Sequence, residues 1–227
     1  MNSTGDFFSK TISDYDTLSN KVVMKNDCLH NELVNAISLD SNSNIAICDL
    51  GCGTGHGLKI ALQKFKNCRA VGIDSSGKMI EKCEKNLQKF KNKMLLCADF
   101  TNVSFPKEEY DAVISAVAIH NILHTQKEKL FQDVFNSLKK GGVFTNGDFI
   151  EGETEEINTH YRKLYRTYLE KNLSREELKA WMKHAFNDDK PMKLSEQFEI
   201  LKNCGFHKVD KIWQFENEVV YRAIKHC

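Results

Sequence analysis

Apolar and polar positions follow two alternating periods along the chain from residue 45 onward. Short apolar runs of strand length alternate with stretches in which apolar residues recur every three or four positions, as on the buried face of a helix. The strand-like runs cover residues 45–50, 69–73, 94–97, 110–117 and 143–150. The pair Gly141-Gly142 is expected to end the helix before the last run. This alternation predicts an α/β fold with a doubly wound, mostly parallel sheet, helices on both faces, and ligands at the carboxyl ends of the strands.

The segments on either side of this core have a different pattern. Residues 1–40 and 151–190 carry helical periodicity, whereas residues 195–227 predict one helix and two extended runs that close the fold as a hairpin. We therefore predict a single domain over residues 1–227. Its parts are an N-terminal helical lid (1–40), a core that holds the binding site (45–150), a helical insertion or cap (151–190), and a closing helix and hairpin (195–227).

The charge balance narrows the choice of partners. The chain of 227 residues has 32 lysines and arginines against 31 acidic residues, a net charge of +1. This balance gives no support for broad binding to nucleic acid or to a membrane surface. The polar start of the chain has no secretory pattern, and no apolar run is long enough to span a bilayer. We expect a cytoplasmic protein, a monomer or a homodimer, with no nucleic-acid or membrane partner.

Eight cysteines are scattered along the chain without a C-x-x-C pair. A chain of this length in a reducing compartment needs no disulfides. Cys48, Cys68, Cys83 and Cys97 fall in apolar segments, and we expect them to be small core residues. A thiol site for a soft metal or arsenic lacks the usual ligand spacing, so we predict no metal site.

A glycine-rich loop directly follows the first strand. Four glycines occupy seven positions from Gly51 to Gly57, a spacing that differs from the dinucleotide fingerprint because His56 stands where its last glycine is required. Glycines here let a ligand approach the backbone at a helix N-terminus. Asp49 lies inside the strand, and a buried carboxylate is costly unless it is satisfied. It is expected to orient the N–H groups of the loop or to accept from a ligand ammonium.

Two further acidic residues follow the next two strands. Asp74 ends the second strand, where a carboxylate can accept both hydroxyls of a ribose. Asp99 comes at the end of the third strand, where it can accept a hydrogen bond from the amino group of an adenine, with Phe100 beside the adenine ring. Each acid alone is compatible with a turn or a cap. Three acids in register with three successive strands indicate a nucleoside ligand instead.

These segments resemble the motifs of the class I S-adenosylmethionine-dependent methyltransferases. Residues 47–55 resemble the first motif, 71–80 the second, 97–100 the third, 110–122 the fourth, and 138–142 the turn that follows. The resemblance is strong over residues 45–150 and looser over the closing hairpin, and Lys140 stands where the family usually has proline. It implies a Rossmann-like sheet of seven strands with one antiparallel strand, and S-adenosyl-L-methionine as cofactor.

The resemblance also assigns roles to individual residues. It implies that Asp74 holds the ribose and Asp99 the adenine amino group, while Asp49 and the glycine loop hold the methionine part. The full set of expected cofactor contacts is Asp49, Gly51, Cys52, Gly53, Gly55, Asp74, Ser75, Met79, Asp99, Phe100, Ser115 and His120.

The sulfonium methyl of this cofactor is already activated, so the protein must align the acceptor and exclude water. A general base helps where the acceptor carries a proton. His120 and Asn121 near the end of the fourth strand, and Asp148 at the end of the fifth, are candidates, although His120 is also compatible with packing or cofactor contact. Tyr15-Asp16 resembles the N-terminal pair that covers the cofactor in members acting on small molecules. The predicted catalytic set is His120, Asp148 and Tyr15.

The acceptor is expected to be a small molecule. Tyr161, Arg162, Tyr165 and Arg166 repeat at i, i+4 and could recognise an anionic or aromatic compound, or they could simply pack and face solvent. A protein or RNA acceptor and a non-catalytic cofactor-binding regulator are the alternatives. The tail from residue 178 also faintly resembles carboxy-S-adenosylmethionine synthases, but residues 187–190 read Asn-Asp-Asp-Lys where that branch has an arginine.

Overall fold

The computed structural model describes residues 15–185 and 189–226. Within these residues, eight strands form one mixed sheet. The strands are β1 (Ile45–Leu50), β2 (Cys68–Asp74), β3 (Lys93–Cys97), β4 (Tyr110–Ala116), β5 (Leu138–Glu151), β6 (Met192–Lys193), β7 (Lys208–Phe215) and β8 (Glu218–Ile224). The helices are α1 (Tyr15–Val22), α2 (Asn26–Asn35), α3 (His56–Lys64), α4 (Gly77–Asn86), α5 (His124–Ser137), α6 (Glu155–Asn172), α7 (Arg175–Lys183) and α8 (Leu194–Asn203). A short 3₁₀ helix covers Ile119–Asn121.

The strand order is β3-β2-β1-β4-β5-β8-β7. Strands β1 to β5 pair in parallel, whereas β8 runs antiparallel to both β5 and β7. The predicted fold class, a doubly wound and mostly parallel sheet with one antiparallel strand, is therefore confirmed. The two-residue strand β6 beside the end of β5 adds an eighth strand that the sequence pattern did not predict.

Successive residues of β1 supply the two apolar layers of the core. All six residues of β1 are buried, as expected for a central strand covered on both faces. Ile47 packs in the layer that contains Leu33 of α2 and Leu58 of α3. Cys48 packs in the opposite layer, which contains Phe131 of α5. Adjacent residues of β1 therefore face opposite layers, and each layer is covered by its own set of helices.

Two details at the ends of strands differ from the expectations. The helix α5 ends at Ser137, and Gly141-Gly142 lies inside β5, not at the helix end. The buried Leu138 already pairs with Tyr110, and a register shift on β4 together with a positive φ of 73° at Gly141 accommodates the bend. The chain therefore becomes extended three residues before the first glycine, because Leu138 belongs to the core.

The expectation that Cys97 is a core residue is wrong. Strand β3 lies at the edge of the sheet, and residues 98–109, all of them described, form turns and loop without a helix. One face of β3 is therefore uncovered, and Met94 is half exposed. Cys97 lies on the other face of β3, near Ser75 before α4, and it is exposed because it is the last residue of this edge strand. Cys48, Cys68 and Cys83 are buried as expected.

The N-terminal helix α1 and the helical insertion border the carboxyl ends of the parallel strands, whereas α2 packs on one face of the sheet. Val23 joins the core between α1 and α2, and Tyr165 and Trp181 of the insertion join the same apolar layer. No helix in the described part of the chain combines the length and the apolar character needed to cross a bilayer.

Candidate functional site

The glycine loop between β1 and α3 turns through three positive φ angles, 73° at Gly51, 52° at Gly53 and 89° at Gly55. The backbone N–H of Gly51 donates to the carbonyl of Ile73 at 2.8 Å, which fixes the loop against the end of β2. A Cβ added at Gly51 or Gly55 would lie less than 3 Å from another side chain, but one added at Gly53 would meet nothing within 4 Å. Gly53 is therefore the position at which a ligand can reach the backbone.

Asp49 lies beneath this loop as a buried carboxylate, with only 2% of its surface exposed. Its Oδ1 atom has no hydrogen-bond partner among the described residues. Burial, with a further contribution from the charge of Asp74, raises the pKa of Asp49 to about 8. A buried acceptor without a partner suits a cationic ligand group, which would both satisfy the oxygen and favour its ionised form.

Asp74 at the end of β2 connects the loop to α4. Its Oδ2 accepts from the N–H of Gly53 at 2.9 Å, and its Oδ1 accepts from the N–H of Ser76 at 2.8 Å. Burial raises the pKa of Asp74, while these two hydrogen bonds lower it, and the result is a raised value. Each carboxylate oxygen can accept a second hydrogen bond.

The other expected cofactor contacts fall into two groups. Phe100 borders the glycine loop, since a Cβ at Gly51 would lie 3.5 Å from its ring. Asp99 is exposed, and its Oδ1 already accepts from the N–H and hydroxyl of Thr101. Ser115 is fully buried and donates to the carbonyl of Leu50 at 2.8 Å, so its hydroxyl joins β4 to β1 and does not face a cavity.

The neighbours of Asp74 on α4 have structural contacts. Ser76, not Ser75, caps α4 by accepting from the N–H of Met79. Ser75 is exposed, and Met79 is buried on the face that α4 turns to the sheet. Cys52 is buried at the loop itself and packs near Gly72 of β2.

A cavity, called here the inner cavity, opens between the glycine loop and the N-terminal helices. Its walls are Asp16, Leu18, Ser19, Val22, Val23, Asn26, His30, Asp49, Gly51, Cys52, Gly53, Thr54, His56, Gly57, Ala116, Val117, His120, Phe149, Trp181 and His184. Asp74 and Asp99 lie outside this wall. The inner cavity thus brings together Asp49, the loop and His120, and it separates them from the two other acids.

Helix α1 is fastened over the loop by Asp16. The Asp16 carboxylate accepts from the Thr54 hydroxyl at 2.6 Å and pairs with Lys82 of α4 at 2.9 Å. That the N-terminal segment acts as a lid stays a prediction. The side chain of Tyr15, the third residue of the predicted catalytic set, lies outside the described part of the chain, as do residues 1–14.

Two stacked histidines form a wall of the inner cavity that the sequence pattern did not indicate. The rings of His30 and His56 lie 4.3 Å apart at 8° to each other. Burial, and then the charge of His56, lowers the pKa of His30 to about 4, so His30 is neutral at physiological pH. The pair comes from α2 and α3, and only the tertiary fold places these helices side by side.

His120 and Asp148 form a buried pair at the ends of β4 and β5. The Nδ1 atom of His120 lies 2.5 Å from Oδ1 of Asp148, and the backbone N–H of His120 donates to Oδ2 at 3.0 Å. Burial lowers the pKa of His120, but the charges of Asp148 and Asp189 outweigh it and raise the pKa above its usual range. The sequence predicted both residues as candidates from their places at neighbouring strand ends, and the structure brings them together.

A second cavity of about 250 Å³, the outer cavity, lies on the other side of His120. Its walls are His120, His124, Phe149, Ile150, Glu151, Asn158, Tyr161, Arg162, Tyr165, Ala185, Asp189, Lys190, Pro191 and Asn217. His120 and Phe149 line both cavities and therefore separate them. Tyr161, Arg162 and Tyr165 of α6 reach the outer cavity, whereas Arg166 pairs with Glu170 on the same helix.

The fold and these cavities define a class I S-adenosylmethionine-dependent methyltransferase, and the chain belongs to this family. A family model described as a methyltransferase domain matches residues 47–142. The chain is similar to the carboxy-S-adenosyl-L-methionine synthase of Helicobacter pylori strain G27, with 30% identity over 187 residues that cover 81% of this chain and 77% of the relative. The cofactor of the enzyme is S-adenosyl-L-methionine.

Solved structures share the fold at low sequence identity. Human N-acetylserotonin methyltransferase in complex with its cofactor superposes with a TM-score of 0.64 and 15% identity, over 97% of this chain and 59% of that one. Geranyl diphosphate C-methyltransferase from Streptomyces coelicolor superposes with a TM-score of 0.63 and 10% identity, over 88% and 76% of the two chains. These likenesses support the fold alone.

Proposed function

We propose that this enzyme transfers the methyl group of S-adenosylmethionine to a small molecule bound in the outer cavity, with His120 as the general base. The observation that carries the proposal is the place of His120. Its ring lines both cavities, and Asp148 holds its Nδ1 atom at 2.5 Å. A base that serves methyl transfer must reach the acceptor at the boundary with the cofactor, and His120 lies at that boundary.

The residues of the inner cavity and of the strand ends beside it fit the cofactor. The unpartnered Oδ1 of Asp49 suits the ammonium of the methionine part, and the open space at Gly53 leaves room beside the backbone. The remaining acceptor capacity of Asp74 suits the ribose hydroxyls. By the family resemblance, Asp99 and Phe100 hold the adenine. The bound cofactor supplies a sulfonium methyl group that is already activated for transfer.

The residues of this chain then have three tasks. Asp148 accepts the Nδ1 proton of His120, which leaves Nε2 as the nitrogen that exchanges a proton with the acceptor. Phe149 and the aromatic residues of the insertion exclude water around that exchange. Asp16 holds α1 over the glycine loop and closes the inner cavity from above.

The test replaces His120 and follows the labelled methyl group. Cofactor with a labelled methyl is incubated with a fractionated metabolite extract, and label is counted in small molecules and in macromolecules. We expect label in the small-molecule fraction, and a loss of roughly 10²- to 10⁴-fold in rate for His120→Asn with cofactor affinity retained. His160→Asn, at an exposed histidine on α6 paired with Glu216, is the matched control. Label only in protein or RNA would refute the acceptor class.

A second candidate function is the synthesis of carboxy-S-adenosylmethionine, the activity in the name of the Helicobacter relative. The observation that favours it is the pair of cations on the wall of the outer cavity, Arg162 and Lys190, since guanidinium and ammonium groups bind carboxylates. Lys190 belongs to the 187–190 stretch that lacks the arginine of that branch, and it supplies a positive charge there.

Mass spectrometry of the cofactor separates the two candidates. Methyl transfer yields the demethylated cofactor and a heavier acceptor. Carboxy-cofactor synthesis moves a carboxyl group from a carboxylate donor to the methyl carbon of the cofactor. It yields a cofactor heavier by one carbon dioxide unit and a donor lighter by that unit, and it forms no demethylated cofactor. Arg162→Gln is expected to reduce the second activity more than the first unless the methyl acceptor is itself an acid.

A further inference from the structure

The helical insertion is fastened to the turn that carries His120. The backbone N–H of Lys190 donates to the carbonyl of His120 at 2.7 Å. The ammonium of Lys127, on the first turns of α5, donates to the carbonyl of Lys190 at 2.5 Å and is almost fully buried. Both contacts hold the main chain of Lys190 against the catalytic turn, and they place the neighbouring Asp189 next to His120.

Asp189 is the residue that this arrangement presents to His120. Its Oδ2 atom lies 3.8 Å from Nε2 of His120, and its Oδ1 atom lies 3.4 Å from Nε2 of His184. The carboxylate has 11% of its side chain exposed, and the two histidine rings are more deeply buried still. The imidazole of His120 thus lies between two carboxylates, one on β5 and one on the insertion.

We propose that Asp189 is a positioning residue for the reaction: its carboxylate, steadied by His184, holds the Nε2 side of His120 while Asp148 holds the Nδ1 side. The proposal rests on the role of His120 given above. It makes the insertion a part of the acid–base machinery as well as a cover for the acceptor. The separation of 3.8 Å is longer than a hydrogen bond, so Nε2 remains accessible to a proton donor from the outer cavity.

The charges around His120 determine the effect that Asp189 should have. Asp148 on β5 and Asp189 on the insertion favour the protonated imidazole, while Lys127 on α5 and burial oppose it. His184 faces the other oxygen of Asp189. A general base works in its neutral form, so each carboxylate moves the onset of activity to higher pH. Removal of the Asp189 charge must move that onset to lower pH.

The experiment compares Asp189→Asn with wild-type enzyme by two measurements. The first is the titration of the His120 ring by NMR in cofactor-free protein, assigned by the signal that disappears in His120→Asn. The second is the pH dependence of kcat/KM. Asp133→Asn, at a partly exposed carboxylate that pairs with Lys129 on α5, is the control. Asp189→Glu keeps the charge and is the variant expected to restore wild-type behaviour.

We expect Asp189→Asn to titrate at lower pH, and the ratio of kcat/KM at pH 5.5 to that at pH 8 to rise roughly fivefold or more, because an opposite charge this close shifts a pKa by about one unit or more. Unchanged titration in Asp189→Asn would overturn the proposal. A shifted titration with an unshifted rate profile would support the contact and overturn the general-base role of His120. If Asp189→Asn fails to fold, an Asp189→Glu enzyme whose ring titrates below wild type would equally overturn the proposal.

Discussion

Replacement of Asp49 by asparagine should stabilise the cofactor-free protein at neutral pH and weaken cofactor binding. Burial, and then the charge of Asp74, raises the pKa of Asp49 from its usual 3.8 to about 8. Below pH 3.8 the carboxyl is protonated in both the folded and the unfolded chain, and it has no pH-dependent effect. As the pH rises from 3.8 to 8, the unfolded chain releases the proton while the folded chain retains it, so folding stability is lost across this window.

The magnitude follows from the width of the window. Each pH unit within it lowers the free energy of unfolding by about 1.4 kcal/mol, so the interval from pH 5 to pH 7 lowers it by about 3 kcal/mol. Asparagine has nearly the same shape and does not titrate. The stability of Asp49→Asn relative to wild type should therefore increase by about 3 kcal/mol between pH 5 and pH 7, whatever other groups contribute to both proteins.

Urea unfolding of cofactor-free protein at pH 5 and pH 7 measures this difference, and Asp133→Asn serves as the partly exposed control. An equal stability increment for Asp49→Asn at both pH values would refute the reasoning. Calorimetry on the same variant tests the ligand side, where loss of the charge facing the ammonium should weaken binding by at least about tenfold. If Asp49→Asn shows the expected gain in stability but binds the cofactor with unchanged affinity, the buried state of Asp49 is supported and its assignment to the ligand ammonium is refuted.

Four further variants test the rest of the proposed cofactor site and its cover. Asp74→Ala should weaken cofactor binding by about 100-fold in calorimetry, because two hydrogen bonds to a charged group are lost; unchanged affinity would refute the ribose assignment. Gly53→Ala should destabilise the protein in urea by about 1 kcal/mol, because its φ of 52° is left-handed, and Gly51→Ala should cost more, since its Cβ would also lie 2.4 Å from that of Ala118. Asp16→Asn should speed the release of the cofactor, which is measured by the fluorescence of Trp181 on the cavity wall. Its free energy of unfolding should change by less than about 1 kcal/mol. An unchanged release rate would argue against α1 as a lid.

The parts of the fold that follow local rules were predictable from the sequence. Strand β1 must be apolar on both faces because helices cover both, and its six buried residues are the run that the pattern indicated. Asp49 directly precedes the glycine loop on β1, and Asp74 ends the neighbouring parallel strand β2, so their places follow from the strand ends. The exposure of Cys97 was not predictable, because an apolar edge strand and an apolar central strand have the same pattern. Only the strand order of the folded sheet, which leaves β3 at its edge, distinguishes them.

The acceptor side of the site depends on contacts between segments far apart in the chain, and a single sequence does not encode these in any local pattern. His120 and Asp148 were identifiable because parallel strands place their carboxyl ends together. No such rule placed Asp189 at the site. Residues 187–190 drew attention only because they lack the arginine of the carboxy-S-adenosylmethionine synthases. In the structure, Asp189 and Lys190 of this stretch line the outer cavity, and Asp189 lies 3.8 Å from His120. The stretch thus brings a carboxylate and a cation to this site. If the core holds the cofactor and the insertion selects the acceptor, as proposed above, the two parts can change independently. Substitutions among the residues that contact the 189–191 segment should then change the choice of acceptor and leave the affinity for the cofactor unchanged.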